Sequence, residues 1–368
     1  MKRIMLFSIL FRYFGRRYLI WFGISLAVLM TVISLIQSIE LMRRLSGREV
    51  QTTDFSVTSM ALLNIPAVIE LCLPFALQAG SMLCFDYWNR TNEIVVSRGF
   101  GRSIWSVLNP VICCACLIGA FYVTVINPVG SVTAQQYEAK MNAAFGSQQQ
   151  KLSISADGIW LRDSQQDSAL IIHGETLDIE SATIHQPMIY VFNNDKVLDR
   201  RIRAASISLT DKGWLLEDVS TWNTLGERID DAAMLMPTEL RSLDLERSSA
   251  PPSTIAFFAL PAFIAVLDRA GLPSVDHRIH FHRTAAIPLL LIGIAMIAAR
   301  FTLTNMTRGR RARLFTRGVV IAVSIFMFSH FMMVLGATMR LPAYVAGWGP
   351  AFIVALAGAV MLARMDEA

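Results

Sequence analysis

Long runs of apolar residues occupy both ends of the chain and flank a polar middle section. A membrane-spanning helix needs about 20 mostly apolar residues. Aromatic residues near the ends of the runs, such as Tyr18, Trp105 and Tyr344, suit the membrane–water interface. Runs of sufficient length predict six transmembrane helices, at Tyr18–Ile39, Ser59–Phe85, Ile104–Ile126, Thr284–Leu303, Gly318–Leu335 and Pro342–Arg364.

The polar middle section, residues 129–250, has a different pattern. It begins with a polar helical segment, Ala134–Phe145, and continues as short apolar runs separated by turn residues. Within one run, Ala205, Ile207 and Leu209 recur at every second position, which is the period of a half-buried strand. The section is therefore predicted to be an antiparallel β domain, either a sandwich or an open roll. Such a domain leaves strand edges that can pair with a neighbour.

Basic residues set the predicted topology, because cytoplasmic loops are enriched in Lys and Arg. The N-terminus, the turn after the second span and the loop Thr304–Arg317 are all rich in Arg. We therefore expect both termini in the cytoplasm and the β domain outside. The apolar stretch Ser253–Leu267 is too short to cross and contains Pro261. A crossing there would also move the Arg-rich loop outside, so the stretch is assigned to the outer membrane surface.

These assignments divide the chain into four parts. Residues 1–128 hold a short basic amphipathic helix and the first three spans, and residues 129–250 hold the periplasmic β domain. Residues 251–283 form a periplasmic interfacial segment, and residues 284–368 hold the last three spans. The fold class is thus an α-helical membrane protein with an inserted all-β domain.

Composition agrees with a membrane protein, since 54% of residues are hydrophobic and only 17% are charged. Soluble domains carry about 25% charged residues. The net charge of +5 does not indicate nucleic-acid binding, because the basic residues flank apolar runs and do not form one patch. We prefer ordinary buried or interfacial residues over a metal site for two clusters. These are Cys113, Cys114 and Cys116, and His277, His280 and His282.

Candidate chemistry is sparse. No phosphate-binding G-x-x-x-x-G-K-[ST] loop and no hydrolase or metalloprotease motif occurs in the sequence. The strongest local signal is Glu93–Ser103, a polar helical segment followed by a glycine-containing bend, between the second and third spans. It is either a docking segment with an acid for a basic partner or a plain cytoplasmic loop. Arg43 and Arg44 follow the first span on the outer side, against the usual charge bias, with Glu40 beside them. They are either phosphate contacts or interfacial anchors.

Ordered motifs along the whole chain resemble the LptF/LptG family, the permeases of the lipopolysaccharide export ABC transporter. Pro66 and Pro74 lie in matching places of the second span. The remaining matches run from the bend between spans two and three, through the β domain, to the last spans. They are Glu93, Val95, Arg98, Gly101, Ser103, Gly158 to Arg162, Ile202, Ala204, Trp214, Pro288, Gly336, Pro342 and Trp348 to Pro350.

The resemblance implies a permease, not an enzyme, in the bacterial inner membrane, whose β domain is a periplasmic β-jellyroll. It would pair with an LptF-like paralogue, an LptB-like ATPase dimer and an LptC-like single-span protein, and would pass lipopolysaccharide to a periplasmic bridge. ATP and Mg would be used by the ATPase, and this chain would bind no cofactor. Coupling would fall to Glu93, Arg98, Gly101 and Ser103 on a helix near 86–103, and lipid-head binding to Glu40, Arg43 and Arg44. The last-span motif around Trp348 looks more like LptG than LptF.

Three alternatives belong to other classes. An intramembrane enzyme would need convergent ionisable groups, and Glu70 and His330 form no recognisable pair in the sequence. A partner-binding membrane protein would use the β domain but leave Glu93 without a role. A permease for another lipid or a lipoprotein differs only in its cargo.

Overall fold

The computed structural model describes most of the chain, and the ranges are 2–45, 56–101, 103–145, 152–155, 158–164, 168–174, 176–178, 183–193, 198–210, 213–223, 227–238, 251–269, 272–303 and 311–366. Close contacts divide these residues into two units. The membrane unit contains 1–144, 256–258 and 278–368, and the β unit contains 145–255 and 259–277. Each unit is described by itself.

Six helices are long and apolar enough to cross a membrane, which confirms the predicted number of spans. The crossing stretches are Ile9–Arg43, Ile65–Arg90, Ile104–Met141, Val275–Thr302, Thr316–Ala337 and Ala343–Met365. The helices that carry them are α1 (Lys2–Leu45), α3 (Ile65–Arg90), α5 (Ile104–Phe121) with α6 (Asn127–Phe145), α8 (Val275–Thr302), α9 (Arg311–Ala337) and α10 (Ala343–Asp366).

The first two spans differ in detail from the sequence prediction. The predicted N-terminal amphipathic helix and first span form one uninterrupted helix, α1. The predicted second span is instead divided at Asn64 into α2 (Val57–Leu63) and α3. Pro66 lies in the first turn of α3, where its missing N–H has no helical partner to lose. The proline therefore marks the start of a new helix and not a point within the span.

The third span continues far beyond its predicted end. A π-helical turn, Tyr122–Ile126, joins α5 to α6 without interrupting the helix. Residues 129–144, which the sequence analysis grouped with the β domain, therefore lie on the continuation of this span. Single π turns inside α-helices are rare and occur often at functional sites.

The core of the membrane unit is aromatic. Tyr18, Phe85 and Trp88 are fully buried between α1, α3 and α5, and the Tyr18 hydroxyl lies 2.9 Å from Ser81 Oγ. Gly80 brings α3 against α1, because a Cβ atom there would lie 2.8 Å from the Cα of Phe22. Helices that cross this closely exclude any larger side chain at the crossing point. Any substitution of Gly80 should therefore separate the two helices.

The β unit is one antiparallel sheet of ten described strands, as the alternating pattern predicts. The order is β1-β2-β3-β6-β7-β9-β8-β5-β4, with β10 also paired to β9. The strands are β1 (Leu152–Ser155), β2 (Gly158–Ser164), β3 (Ser168–Gly174), β4 (Thr176–Asp178), β5 (Thr183–His185), β6 (Met188–Asn193), β7 (Leu198–Arg203), β8 (Ser206–Thr210), β9 (Gly213–Asn223) and β10 (Arg228–Met236).

The sheet curls around a single core. Leu161 of β2, Ile184 of β5 and Trp214 of β9 are all buried in one cluster, although their strands lie far apart in the sheet. A sheet that folds back on itself in this way is an open roll, not two separate sheets.

The ambiguous stretch after the β strands contains a short helix, α7 (Leu260–Arg269), too short to cross a membrane. Leu267 is fully buried and packs into the core of the β unit together with Phe263 and Leu272. The placement of this stretch on the membrane surface stays a prediction. The predicted interfacial segment ends earlier than expected, because α8 already begins at Val275.

Candidate functional site

A short helix, α4 (Glu93–Gly99), connects the second and third spans and carries the predicted coupling residues. Glu93 is its first residue, and a carboxylate at this position is stabilised by the positive end of the helix dipole. The Tyr13 hydroxyl donates to Glu93 Oε1 over 3.1 Å, and the Thr91 hydroxyl donates to the same atom over 2.9 Å. The other oxygen, Oε2, is buried without a partner among the described residues. This oxygen keeps an unused acceptor position, which a basic group would satisfy if it reached the carboxylate.

The network extends from Glu93 to the first span. Arg17 donates to the Tyr87 hydroxyl and stacks on its ring, with the guanidinium carbon 4.3 Å from the ring centre. Tyr13 and Arg17 lie one turn apart on α1, whereas Tyr87 and Glu93 lie at the end of α3 and the start of α4. The short helix is thus attached to the first and second spans by side chains that sequence reasoning did not identify.

The outward face of α4 is apolar. Val95, Val96 and Phe100 are 60%, 57% and 82% exposed, whereas Ile94 on the opposite face is buried. Arg98 is exposed on the same helix. Exposed apolar groups clustered beside charges are typical of protein contact sites. Sequence reasoning missed Val96 and Phe100, because an apolar residue next to a span reads equally well as part of the membrane anchor.

The bend after α4 depends on the other two predicted residues. Gly101 has a φ of +73°, in the left-handed region that favours glycine. Ser103 is the N-cap residue directly before α5. Its hydroxyl oxygen accepts a hydrogen bond from the backbone N–H of Ser106 over 3.3 Å. Arg102 lies outside the described residues. Gly101 and Ser103 therefore shape the connection, while Glu93 and Arg98 provide its charges.

We expect Gly101→Ala to destabilise this bend by about 1–2 kcal/mol, the usual cost of a left-handed conformation for a residue with a Cβ atom. Apart from its chain neighbours, no described residue places an atom within 4 Å of the added Cβ, so the cost is conformational and not steric. Gly99→Ala is the matched control, because Gly99 is helical and equally uncrowded. Limited proteolysis between the second and third spans should speed up for Gly101→Ala alone. Equal rates for the two variants would contradict the role of the bend.

The predicted lipid-head residues lie near the end of α1. The Arg43 guanidinium donates to both carboxylate oxygens of Glu40, over 2.9 and 3.0 Å. The Arg43 side chain is 76% exposed, so its outer edge is accessible to a ligand. The side chain of Arg44 lies outside the described residues. Nearby, Asn64 Nδ2 donates to Gln37 Oε1 over 2.7 Å and ties α1 to the break between α2 and α3.

Glu70 and His330, the two ionisable residues singled out within the spans, form no pair with each other, as the sequence indicated. Glu70 pairs with Arg283 and not with His330. His330 lies parallel to the Phe326 ring, with ring centres 6.4 Å apart. Among the described residues, no three His, Cys, Asp or Glu side chains converge as metal ligands would. This arrangement places an ion pair inside the membrane unit.

Six membrane-spanning stretches, an inserted antiparallel sheet and an exposed connecting helix between two spans define a multi-pass membrane protein with an inserted β domain. The chain belongs to the lipopolysaccharide export system permease LptF/LptG family, whose family model matches residues 12–364. It is therefore a transporter subunit, not an enzyme, and a multi-pass protein of the bacterial inner membrane. No curated protein matches the sequence.

Proposed function

We propose that this permease extracts lipopolysaccharide from the inner membrane and passes it to a periplasmic bridge, using ATP hydrolysis by a separate ATPase. Its partners would be an LptF-like permease, an LptB-like ATPase dimer with its ATP and Mg, and an LptC-like protein. The motif around Trp348 favours the LptG branch of the family. The observation that carries the proposal is the exposed apolar face of α4 beside a Glu93 oxygen that receives no hydrogen bond from the described residues.

The ATPase would dock on α4. Val95, Val96 and Phe100 offer the apolar centre of such a contact, and Glu93 offers the charge for a basic residue of the partner. Interfaces of this kind are stabilised mainly by a few buried aromatic and charged anchors. Because Tyr13 and Arg17 connect this region to α1, a movement of α4 would be transmitted to the first span. This link between α4 and α1 is the coupling step of the proposal.

The lipid would move along the first and fifth spans. In the most apolar 18-residue stretch of each of these two spans, the described part of the chain buries only 6% of the residues, compared with 61% in the second and fourth spans. Two long apolar faces without internal cover suit contact with acyl chains and with a second permease. The second, fourth and sixth spans would then form the frame against which the first and fifth spans move.

The phosphates of the lipid head would bind near the end of α1. Guanidinium groups match phosphate geometry with paired hydrogen bonds, and Glu40 holds Arg43 in a defined orientation. The β domain would lie in the periplasm, with both termini in the cytoplasm, and an open strand edge would pair with the β domain of a partner. Main-chain pairing of this type needs no particular side chains.

We expect replacement of both Arg43 and Arg44 by Ala to reduce lipopolysaccharide-stimulated ATP hydrolysis about tenfold, because each charge-assisted hydrogen bond contributes about 1.5–3 kcal/mol. Hydrolysis is measured in liposomes that contain the full transporter, with and without lipopolysaccharide. Arg340→Ala is the matched control, since Arg340 is an exposed arginine in the connection between the fifth and sixth spans. Undiminished stimulation in the double variant would leave only the anchor interpretation.

Transport itself tests the proposal. Liposomes that contain this chain, the second permease and the ATPase should release lipopolysaccharide to a soluble bridge protein only when ATP is present. The same liposomes with ordinary phospholipid as cargo should release none. Equal release of phospholipid would show that the chain is a permease for another lipid.

A further inference from the structure

A cavity of about 250 Å³ lies inside the membrane unit, between α3, α8, α9 and α10. Its walls are mainly apolar and include Leu71, Phe75, Ile287, Leu290, Ile325 and Met333. Sites for drug-sized ligands measure about 300–1,000 Å³, so this volume lies just below that range and suits a smaller ligand. A single acyl chain is a ligand of matching size and polarity.

One part of the cavity is charged. Glu70 of α3 and Arg283 of α8 form an ion pair there, and their side chains are 27% and 41% exposed. Arg283 Nη2 donates to Glu70, while Nη1 lies 3.9 Å from the Met333 sulfur. A guanidinium has five N–H donors, so donors remain for a ligand in the cavity. Ionisable residues within spans are costly and are usually functional.

Glu70 does not depend on Arg283 alone. The buried Tyr122 hydroxyl, at the start of the π turn, hydrogen-bonds to both Glu70 and Asn127. Asn127 Oδ1 in turn accepts the backbone N–H of Phe257 over 2.8 Å. When Arg283 turns towards another anion, the Glu70 carboxylate therefore keeps the Tyr122 donor. This support lowers the cost of exchanging Glu70 for a ligand anion.

Two further polar groups lie along the cavity wall without partners. Gln78 is only 3% exposed, and its Oε1 has no hydrogen-bond partner among the described residues. The buried Oγ of Ser329 likewise has none within that part of the chain. Both residues line the cavity. Buried polar groups without partners are rare in folded proteins, and a bound ligand is one way to satisfy them.

We propose that this cavity binds a lipid with a phosphate head group, with one acyl chain along the apolar wall and the phosphate at Arg283. Gln78 and Ser329 meet polar atoms of the lipid near the start of the chain. Glu70 is the resident counter-ion, which the phosphate displaces. The site lies within one chain, shares α9 with the lipid path proposed above and uses no residue of α1 or α4, so it adds a binding site to the export role without depending on it.

The test uses the full chain purified in dodecyl maltoside and titrated with dodecyl phosphate, with bound molecules counted by native mass spectrometry. We expect saturable binding of one molecule, weakened about tenfold or more by Arg283→Gln, because charge-assisted hydrogen bonds are lost. Ala322→Phe should block binding by filling the cavity. Arg300→Gln is the matched control, since Arg300 lies on the same helix outside the cavity and should bind normally. Inorganic phosphate should not bind.

Glu70→Gln distinguishes this site from a structural ion pair, because removal of the counter-ion should strengthen the binding of dodecyl phosphate. If Arg283→Gln alone does not fold, the neutral double variant of Glu70→Gln with Arg283→Gln replaces it and should bind weakly. Unchanged affinity in both arginine variants would overturn the proposal. So would equal binding of inorganic phosphate, which indicates an anion site without a lipid chain, or weaker binding by Glu70→Gln.

Discussion

We expect Glu93→Ala to abolish ATP-dependent transport while the chain still inserts into the membrane and folds. Truncating one partner of a buried charge contact costs about 2–5 kcal/mol, which corresponds to a loss of affinity of roughly 30-fold to several thousand-fold. Glu93 lies at the start of α4, outside the spans, so its loss should not disturb the membrane core. The measurement is the affinity of the purified permease pair for the ATPase, together with transport in liposomes.

Glu93→Gln is the matched control, because it keeps the size and shape of the side chain. It keeps an oxygen that accepts from Tyr13 and Thr91, but it removes the charge. Tyr13→Phe removes one internal donor and leaves the charge. We expect Glu93→Gln to resemble Glu93→Ala, and Tyr13→Phe to bind the ATPase normally but to transport more slowly. Normal transport by Glu93→Ala would remove the coupling role from this residue.

We expect Phe100→Ser to weaken ATPase binding by at least 30-fold without lowering the thermal stability of the chain, since an aromatic anchor contributes about 2 kcal/mol or more. The ring is 82% exposed in the isolated chain, so its removal leaves no cavity. A loss of binding without a loss of stability is the signature of a contact residue. Binding is measured by titration of the purified permease pair with the ATPase.

Phe258→Ser controls for the loss of an exposed aromatic ring elsewhere. Phe258 is 64% exposed and belongs to the membrane unit, but it is far from α4 in the sequence. The control should bind the ATPase like the unaltered chain. If Phe100→Ser also binds normally, the apolar face of α4 is not the docking surface.

The sequence predicted the number and type of helices and strands better than the residues at which they begin and end. Apolar length was sufficient for the six spans, and the alternating pattern was sufficient for the β sheet. The break at Asn64 was missed because Pro66 reads equally as a kink within a span or as the start of a helix. The extension of the third span through the π turn was missed because residues 129–145 are too polar to be recognised as part of it.

The hydrogen-bond and ion-pair partners of individual side chains could not be predicted from the sequence. Glu70 and Arg283 are separated by 213 positions, and nothing local in either segment indicates the other. Tyr13 and Glu93 are likewise brought together only by the packing of α1 against α3. The predicted residues Glu93, Arg98, Gly101 and Ser103 came from resemblance, whereas the exposure of Phe100 became apparent only when the buried face of α4 was known.

The most direct test of the export function is purification of this chain in mild detergent after coexpression with its neighbouring genes, followed by mass spectrometry of bound proteins and lipids. We expect recovery of a second permease, an ATPase and lipopolysaccharide. Recovery of the chain alone, with ordinary phospholipid and no ATPase, would contradict it.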